Sequence, residues 1–203
     1  APAYANAEKV LGKFLSKKKY IATKLSKIPE EIFSNKKLLK ENIEKSIDES
    51  FKNLNIKKLD LLLLHQSEPE LIFNKEFKDI INELKKKNKI SFIGVSVYDE
   101  DVLKELVRDD FYDAIELNFS ILDQRKLKIL NSINNKLVIA RSILLRGMLT
   151  CQKDNIPENL KEIVHKRNLI EKIAKDIGVD YLSVLINYPI CTKGIDVIII
   201  GMI

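Results

Sequence analysis

Short apolar runs of strand length recur along this chain, and between them apolar residues fall at helical spacing. The clearest run is Leu59–Leu64, inside the stretch from Lys58 to Gln66. It shows no polar alternation and is bounded by charge, so it predicts a strand buried on both faces. Further strands are predicted at residues 20–25, 90–96, 114–119, 137–142 and 196–201. Helices are predicted at residues 7–15, with Asn6 as N-cap, and at 36–54, where Leu39, Ile43, Ile47, Ser50, Phe51 and Leu54 share one face. Residues 75–87 predict another, with Phe77, Ile80, Ile81 and Leu84 inward. Asp99 reads as the N-cap of a helix through Val102, Leu103 and Leu106. Three more follow at about 126–130, 158–177 and 181–187, the second closed by Gly178. Pro29 and Pro69 mark loops.

Strand and helix thus alternate, which predicts a parallel sheet with right-handed crossovers. An open dinucleotide-binding sheet needs a Gly-rich turn after its first strand, and no strand here is followed by one. A barrel is the better reading, because the strand ends carry Lys24, His65, Ser96, Asn118 and Ser142, and a barrel site is built from such mouth positions. Polar residues also begin loops, so Ser96 and Asn118 are equally ordinary loop starts. Taken alone, one histidine after an apolar strand reads first as a core histidine.

Composition narrows the class. The chain has 203 residues, 45% hydrophobic and 32% charged, which describes one globular domain spanning 1–203. The net charge of +6 comes from scattered lysines, as in Lys17-Lys18-Lys19, Lys36-Lys37 and Lys85-Lys86-Lys87. They form no single basic stripe with interleaved aromatics, which argues against nucleic acid as a partner. No apolar run approaches a membrane span and no leader pattern is present, so no membrane is expected. Cys151 and Cys191 stand far apart, and a reducing cytoplasm is the simplest setting. A metal-dependent hydrolase is disfavoured, since His65 and His165 stand in no ligand-spaced cluster.

Four pieces in order carry a resemblance: Tyr4 with Ala7-Glu8-Lys9-Val10-Leu11-Gly12, then Ala22-Thr23-Lys24-Leu25, then Leu59-Asp60-Leu61-Leu62-Leu63-Leu64-His65, then Ile93-Gly94-Val95-Ser96. Each stands at a predicted helix or strand end. Over nearly its whole length the chain resembles the aldo-keto reductases. The resemblance implies a (β/α)8 barrel, a nicotinamide cofactor (usually NADPH, with NADH possible) and a small-molecule carbonyl substrate. It implies Tyr4, Lys24 and His65 as catalytic residues. The family's catalytic aspartate would precede residue 1. For cofactor binding it implies Ser96, Glu116, Arg141, Ser142, Leu144, Gly147 and Gly201, with residues 142–147 resembling the loop that wraps the pyrophosphate.

The chemistry of that set has its own logic. Hydride delivered to a carbonyl carbon leaves charge on oxygen, so a proton donor must stand within hydrogen-bond reach. A phenol of pKa ~10 is a reluctant acid, and an ammonium beside it eases proton release. An imidazole can orient the carbonyl and donate to it. Departures from the family pattern are Ala5 for the usual Gly, Val97 for Asn, Glu116 for Gln, and Arg141 for an aromatic that stacks on the nicotinamide; a planar guanidinium can also stack.

The expected fold is therefore an incomplete aldo-keto reductase barrel, with about six of eight strands arranged side by side in chain order. The strands at 20–25 and 196–201 would be open edges, which invite pairing with another chain and leave a monomer unstable. The expected function is NADPH-dependent reduction of aldehydes or ketones. The alternative is a truncated, non-catalytic module that no longer binds cofactor. Which carbonyl compound is reduced depends on pocket loops rather than on the fold.

Overall fold

The computed structural model describes residues 2, 4–15 and 20–201; the Lys17-Lys18-Lys19 run lies outside them. Six strands, β1 (Ala22–Lys24), β2 (Leu59–Leu64), β3 (Ile90–Val97), β4 (Ala114–Asn118), β5 (Leu137–Arg141) and β6 (Val197–Ile198), follow one another in the sheet in chain order. Eight α-helices accompany them among the described residues: α1 (Ala7–Gly12), α2 (Lys36–Leu54), α3 (Pro69–Ile72), α4 (Lys75–Lys86), α5 (Glu100–Arg108), α6 (Leu127–Leu130), α7 (Glu162–Asp176) and α8 (Tyr181–Cys191). The chain divides into two compact units, Ala1–Ile115 and Glu116–Ile203.

In the first unit, β2 is parallel to both β1 and β3. Its leucines are buried throughout, as a strand covered on both faces requires. Helix α4 packs on β3 and α2 on α4, each by an apolar face. Leu39, Ile43, Ile47 and Leu54 of α2 are buried, and so are Phe77, Ile80, Ile81 and Leu84 of α4. Caps set the helix starts: Asn35 accepts from the Leu38 N–H, Asn74 from Phe77 and Asp99 from Asp101 and Val102. Lys85 and Lys86 end α4, where cations complement the helix dipole. Gly94 lets β3 approach its neighbour, because a Cβ there would lie 2.7 Å from the Ala114 carbonyl oxygen.

In the second unit, β5 and β6 pair in parallel through Ile139 with Val197 and Ala140 with Ile198. Helix α7 stops at Gly178, whose φ of +70° takes the left-handed conformation that closes a helix. Asp180 accepts from the Ser183 N–H and starts α8. A small core of Leu149, Ile170 and Leu185 joins these helices to the segment after β5.

Six elements differ from expectation. Helix α1 stops at Gly12 rather than residue 15, and α7 starts at Glu162 after a separate turn at Glu158–Leu160. β1 is shorter than residues 20–25, because the backbone N–H of Ile21 is taken by the Asp60 side chain at 2.8 Å rather than by a ladder partner. β6 keeps two of six expected residues, since only two find register on β5. The loop at Pro69 holds a one-turn helix, with proline in the first-turn position it suits. α8 runs past Asn187 to Cys191 and contains Pro189.

Tyr112 ties the segment before β4 to α3, its buried hydroxyl donating to the Ile72 carbonyl at 2.6 Å. Burial pushes this phenol well above the ordinary tyrosine range. The folded chain therefore holds the proton more tightly than the unfolded chain, whose value is ~10. Its contribution to stability is complete below that pH and is lost as pH rises above it. Absorbance titration should show the Tyr112 phenolate appearing only with alkaline unfolding; a Tyr112→Phe chain should lose this part of the pH dependence.

Candidate active site

In the first unit the parallel register brings the ends of β1, β2 and β3 to one edge of the sheet. Lys24 pairs with Leu63, and Leu64 with Val95, so His65, just after β2, stands at the level of Ser96, the penultimate residue of β3. Lys24 is 9% exposed and Ser96 is fully buried, while His65 is half-buried. Tyr4 precedes α1 and meets His65 at this edge. Its ring centroid stands 6.4 Å from that of His65, tilted by 39°. The structure thus brings Tyr4 and His65 together and sets Lys24 and Ser96 on the neighbouring strand ends.

A tyrosine this near the start of the described chain needs an anchor, and α1 supplies it. The Ala7 N–H donates to the Tyr4 carbonyl at 3.0 Å, and Val10 donates to Asn6. Asn6 occupies the N-cap position, but its side chain makes no capping bond. Glu8, 3% exposed, accepts hydrogen bonds from Thr23 Oγ1 at 2.6 Å, Ser50 Oγ at 3.0 Å and Asn53 Nδ2 at 3.3 Å. One carboxylate therefore joins α1 to β1, beside Lys24, and to α2. Gly12 completes the seat: a Cβ there would lie 2.3 Å from the Asn53 carbonyl oxygen, so only glycine lets the end of α1 meet the end of α2.

The loops that follow β1 and β2 border a cavity of about 510 Å³, lined by Glu30, Phe33, Ser34, Glu68, Glu70 and Asn74. Gln66 holds these loops together, accepting from the Ile28 N–H and donating to the Ile28 carbonyl. Three glutamates make this wall unfavourable for an anion.

The second unit holds the other candidates. Glu116, 1% exposed, faces Arg141, whose Nε lies 3.3 Å from Glu116 Oε1. Two of the four departures from the family pattern are thus partners in one ion pair. After Arg141 the backbone is strained: Ser142, Leu145 and Arg146 have φ of +58°, +47° and +53°, and Gly147 +87°. These left-handed residues fold the loop into consecutive tight turns, in which the N–H groups of Leu145, Gly147 and Met148 donate to the carbonyls of Ser142, Leu144 and Leu145. Leu144 and Leu145 pack on the small helical core. Gly201 lies exposed beyond β6, and a Cβ there would meet nothing within 4 Å.

Glu8 and Gly12 stand in the stretch that carries the resemblance but were given no role from sequence, and the side chains that hold the segment after Gly147 were not singled out at all. Glu8 does stand in the first turn of a predicted helix, but its partners lie 15, 42 and 45 residues away. Among the described residues no group of three or more metal-binding side chains forms, and no helix is long and apolar enough to cross a membrane.

Comparison with known proteins agrees with this fold. The family model described as "Aldo/keto reductase family" matches residues 1–203. An NADH-specific methylglyoxal reductase of Escherichia coli is 30% identical over 129 residues, 60% of this chain and 40% of that protein. An uncharacterized oxidoreductase of Bacillus subtilis, YqkF, is 25% identical over 175 residues, 80% of this chain and 56% of that one. The chain therefore spans about half the length of these curated relatives. Among solved structures, the aldo-keto reductase AKR11C1 of Bacillus halodurans superposes with a TM-score of 0.73 at 21% identity, covering 96% of this chain and 66% of that one. The glycerol dehydrogenase AKR11B4 of Gluconobacter oxydans gives 0.71 at 21% identity, over 94% and 66%.

Ala5 has a φ of +46°, which a Cβ disfavours, whereas Gly12 has no room for one. Ala5→Gly should raise the free energy of unfolding by up to about 1 kcal/mol, and Gly12→Ala should lower it by more than that. Denaturant melts of the two variants check both signs.

Proposed function

The chain belongs to the aldo-keto reductase family, and we propose that it reduces aldehyde or ketone carbonyls to alcohols with a nicotinamide dinucleotide, Tyr4 acting as proton donor with Lys24 and His65. The observation that carries this reading is the meeting of the Tyr4 and His65 rings at 6.4 Å, at the strand edge where Lys24 ends β1. The fold, an α/β sheet of six strands in chain order, matches an incomplete barrel of this family.

The donor set fits such a dinucleotide. Ser96 brings a hydroxyl suited to a carboxamide. Arg141 brings a planar cation, and the loop at 142–147 resembles the one that wraps the pyrophosphate in this family, its turns closed by the Leu145 and Gly147 N–H groups donating to the Ser142 and Leu144 carbonyls. Glu116, Ser142, Leu144 and Gly201 complete the proposed set. The bound coenzyme supplies hydride to the carbonyl carbon.

The remaining steps belong to this chain. Tyr4 gives its Oη proton to the oxygen that gains charge, and the phenolate left behind is favoured by the Lys24 ammonium. His65 donates a hydrogen bond to the same oxygen and fixes the face presented to reduction. Glu8 and Gly12 keep Tyr4 in place by fastening α1.

NADPH is the proposed reductant. NADH is the second reading, favoured by the name of the Escherichia coli relative. Both cysteines are free thiols, which accords with the cytoplasmic setting proposed.

Titration with NADPH and with NADH, followed by cofactor fluorescence, should give saturable binding with one of them; binding of neither would favour the non-catalytic scaffold. Tyr4→Phe should cost roughly 10²–10⁴-fold in turnover, the usual size of a lost general acid, with cofactor affinity little changed. Steady-state rates at saturating cofactor check this, and an unchanged rate removes Tyr4 from the mechanism.

A further inference from the structure

The segment after Gly147 is held by two side chains from the helices behind it. Arg167 of α7 is 7% exposed, and its Nη1 donates to the Met148 carbonyl at 3.2 Å and the Cys151 carbonyl at 2.7 Å. Tyr181, the first residue of α8, donates its hydroxyl to the Leu149 carbonyl between them at 2.9 Å. The guanidinium lies 5.9 Å from the centre of the Tyr181 ring, so the two act on each other as well as on the loop. Glu171, one turn along α7, lies 3.6 Å from Arg167 Nη2 and is itself fixed by Lys153 at 2.6 Å.

A buried arginine committed to main-chain carbonyls is an expensive device for packing alone, because apolar residues could fill the same space without desolvating a charge. What it secures is the shape of the backbone. The three left-handed residues Leu145, Arg146 and Gly147 immediately precede the clamped carbonyls. Non-glycine residues persist in that conformation only where their surroundings over-determine it. Leu149 sits at the centre of the helical core, with Leu144 and Leu145 packed against it. Side chains thus hold the loop from one end and carbonyl bonds hold it from the other.

We propose that Arg167, together with Tyr181, is a positioning residue for the dinucleotide, holding the 145–151 backbone in the shape that receives a pyrophosphate. This rests on the function proposed above. Neither residue touches the ligand in this account; each acts through the backbone it holds.

The test uses Arg167→Met and Tyr181→Phe, the latter removing one hydroxyl only, so that it serves if the former fails to fold. Affinities are measured by calorimetry for the cofactor that binds the unaltered protein, for ADP-ribose, which keeps the pyrophosphate, and for nicotinamide mononucleotide, which lacks it. Arg167→Met should weaken the first two by about tenfold or more, the scale of a lost bond to a charged group, and leave the mononucleotide within about twofold. Tyr181→Phe should do the same to a smaller extent. The double variant should lose less than the product of the two, since both act on one loop. Amide hydrogen exchange at 145–151 should quicken in both single variants. A fold-wide loss that weakens all three ligands equally, or unchanged exchange in the loop, overturns the inference. Failure of all three ligands to bind the unaltered protein, with the loop still loosened by Arg167→Met, overturns the proposed function instead.

Discussion

Two parallel strands cannot be joined by a tight turn, so each strand here is followed by a crossover that returns the chain to its starting level before the next strand begins. Every strand that obeys this rule ends at the same edge as its neighbour. In the first unit the consequence is direct: the register that pairs Lys24 with Leu63 also fixes where His65 begins, and the next pairing fixes Ser96. Three chemically useful side chains share an edge because of backbone hydrogen bonds they do not make. Tyr4 reaches that edge by another route, through the hydrogen bonds of Glu8 and the close contact at Gly12.

Backbone strain is distributed unevenly, and the pattern separates ordinary turns from built ones. Asn55, Asn88 and Asn135 have positive φ, a conformation asparagine tolerates. Ala5, Ser142, Leu145 and Arg146 share it without that excuse. The first follows Tyr4, and the others form the loop after β5. At both places a network of side chains from other elements holds the strained segment, which is the condition under which such strain survives.

The architecture was legible because its signals are local. The apolar run at Leu59–Leu64 has the length and monotony of a strand covered twice, and α2 begins and ends where its periodic face does. Asp99 caps as its position implied. Lys24 and His65 could be found because each closes a recognisable strand. Short elements escaped: the four residues of α3 are too few to show a period, and β6 is cut by the register of β5 rather than by its own isoleucines. The supports of the candidate site escaped for a different reason. Glu8 meets Ser50 and Asn53, and Arg167 meets Met148 and Cys151, only after the chain has folded.

The ion pair of Glu116 with Arg141 constrains both positions at once. Many members of the family have glutamine and an aromatic residue at these positions. A glutamate arriving alone at a place 1% exposed would strand a negative charge, and an arginine arriving alone would lack its counter-charge. Each change is tolerable mainly in the presence of the other. The two positions are therefore coupled: a change at either one alone would deprive the other buried charge of this partner, whereas a paired change to neutral residues would not.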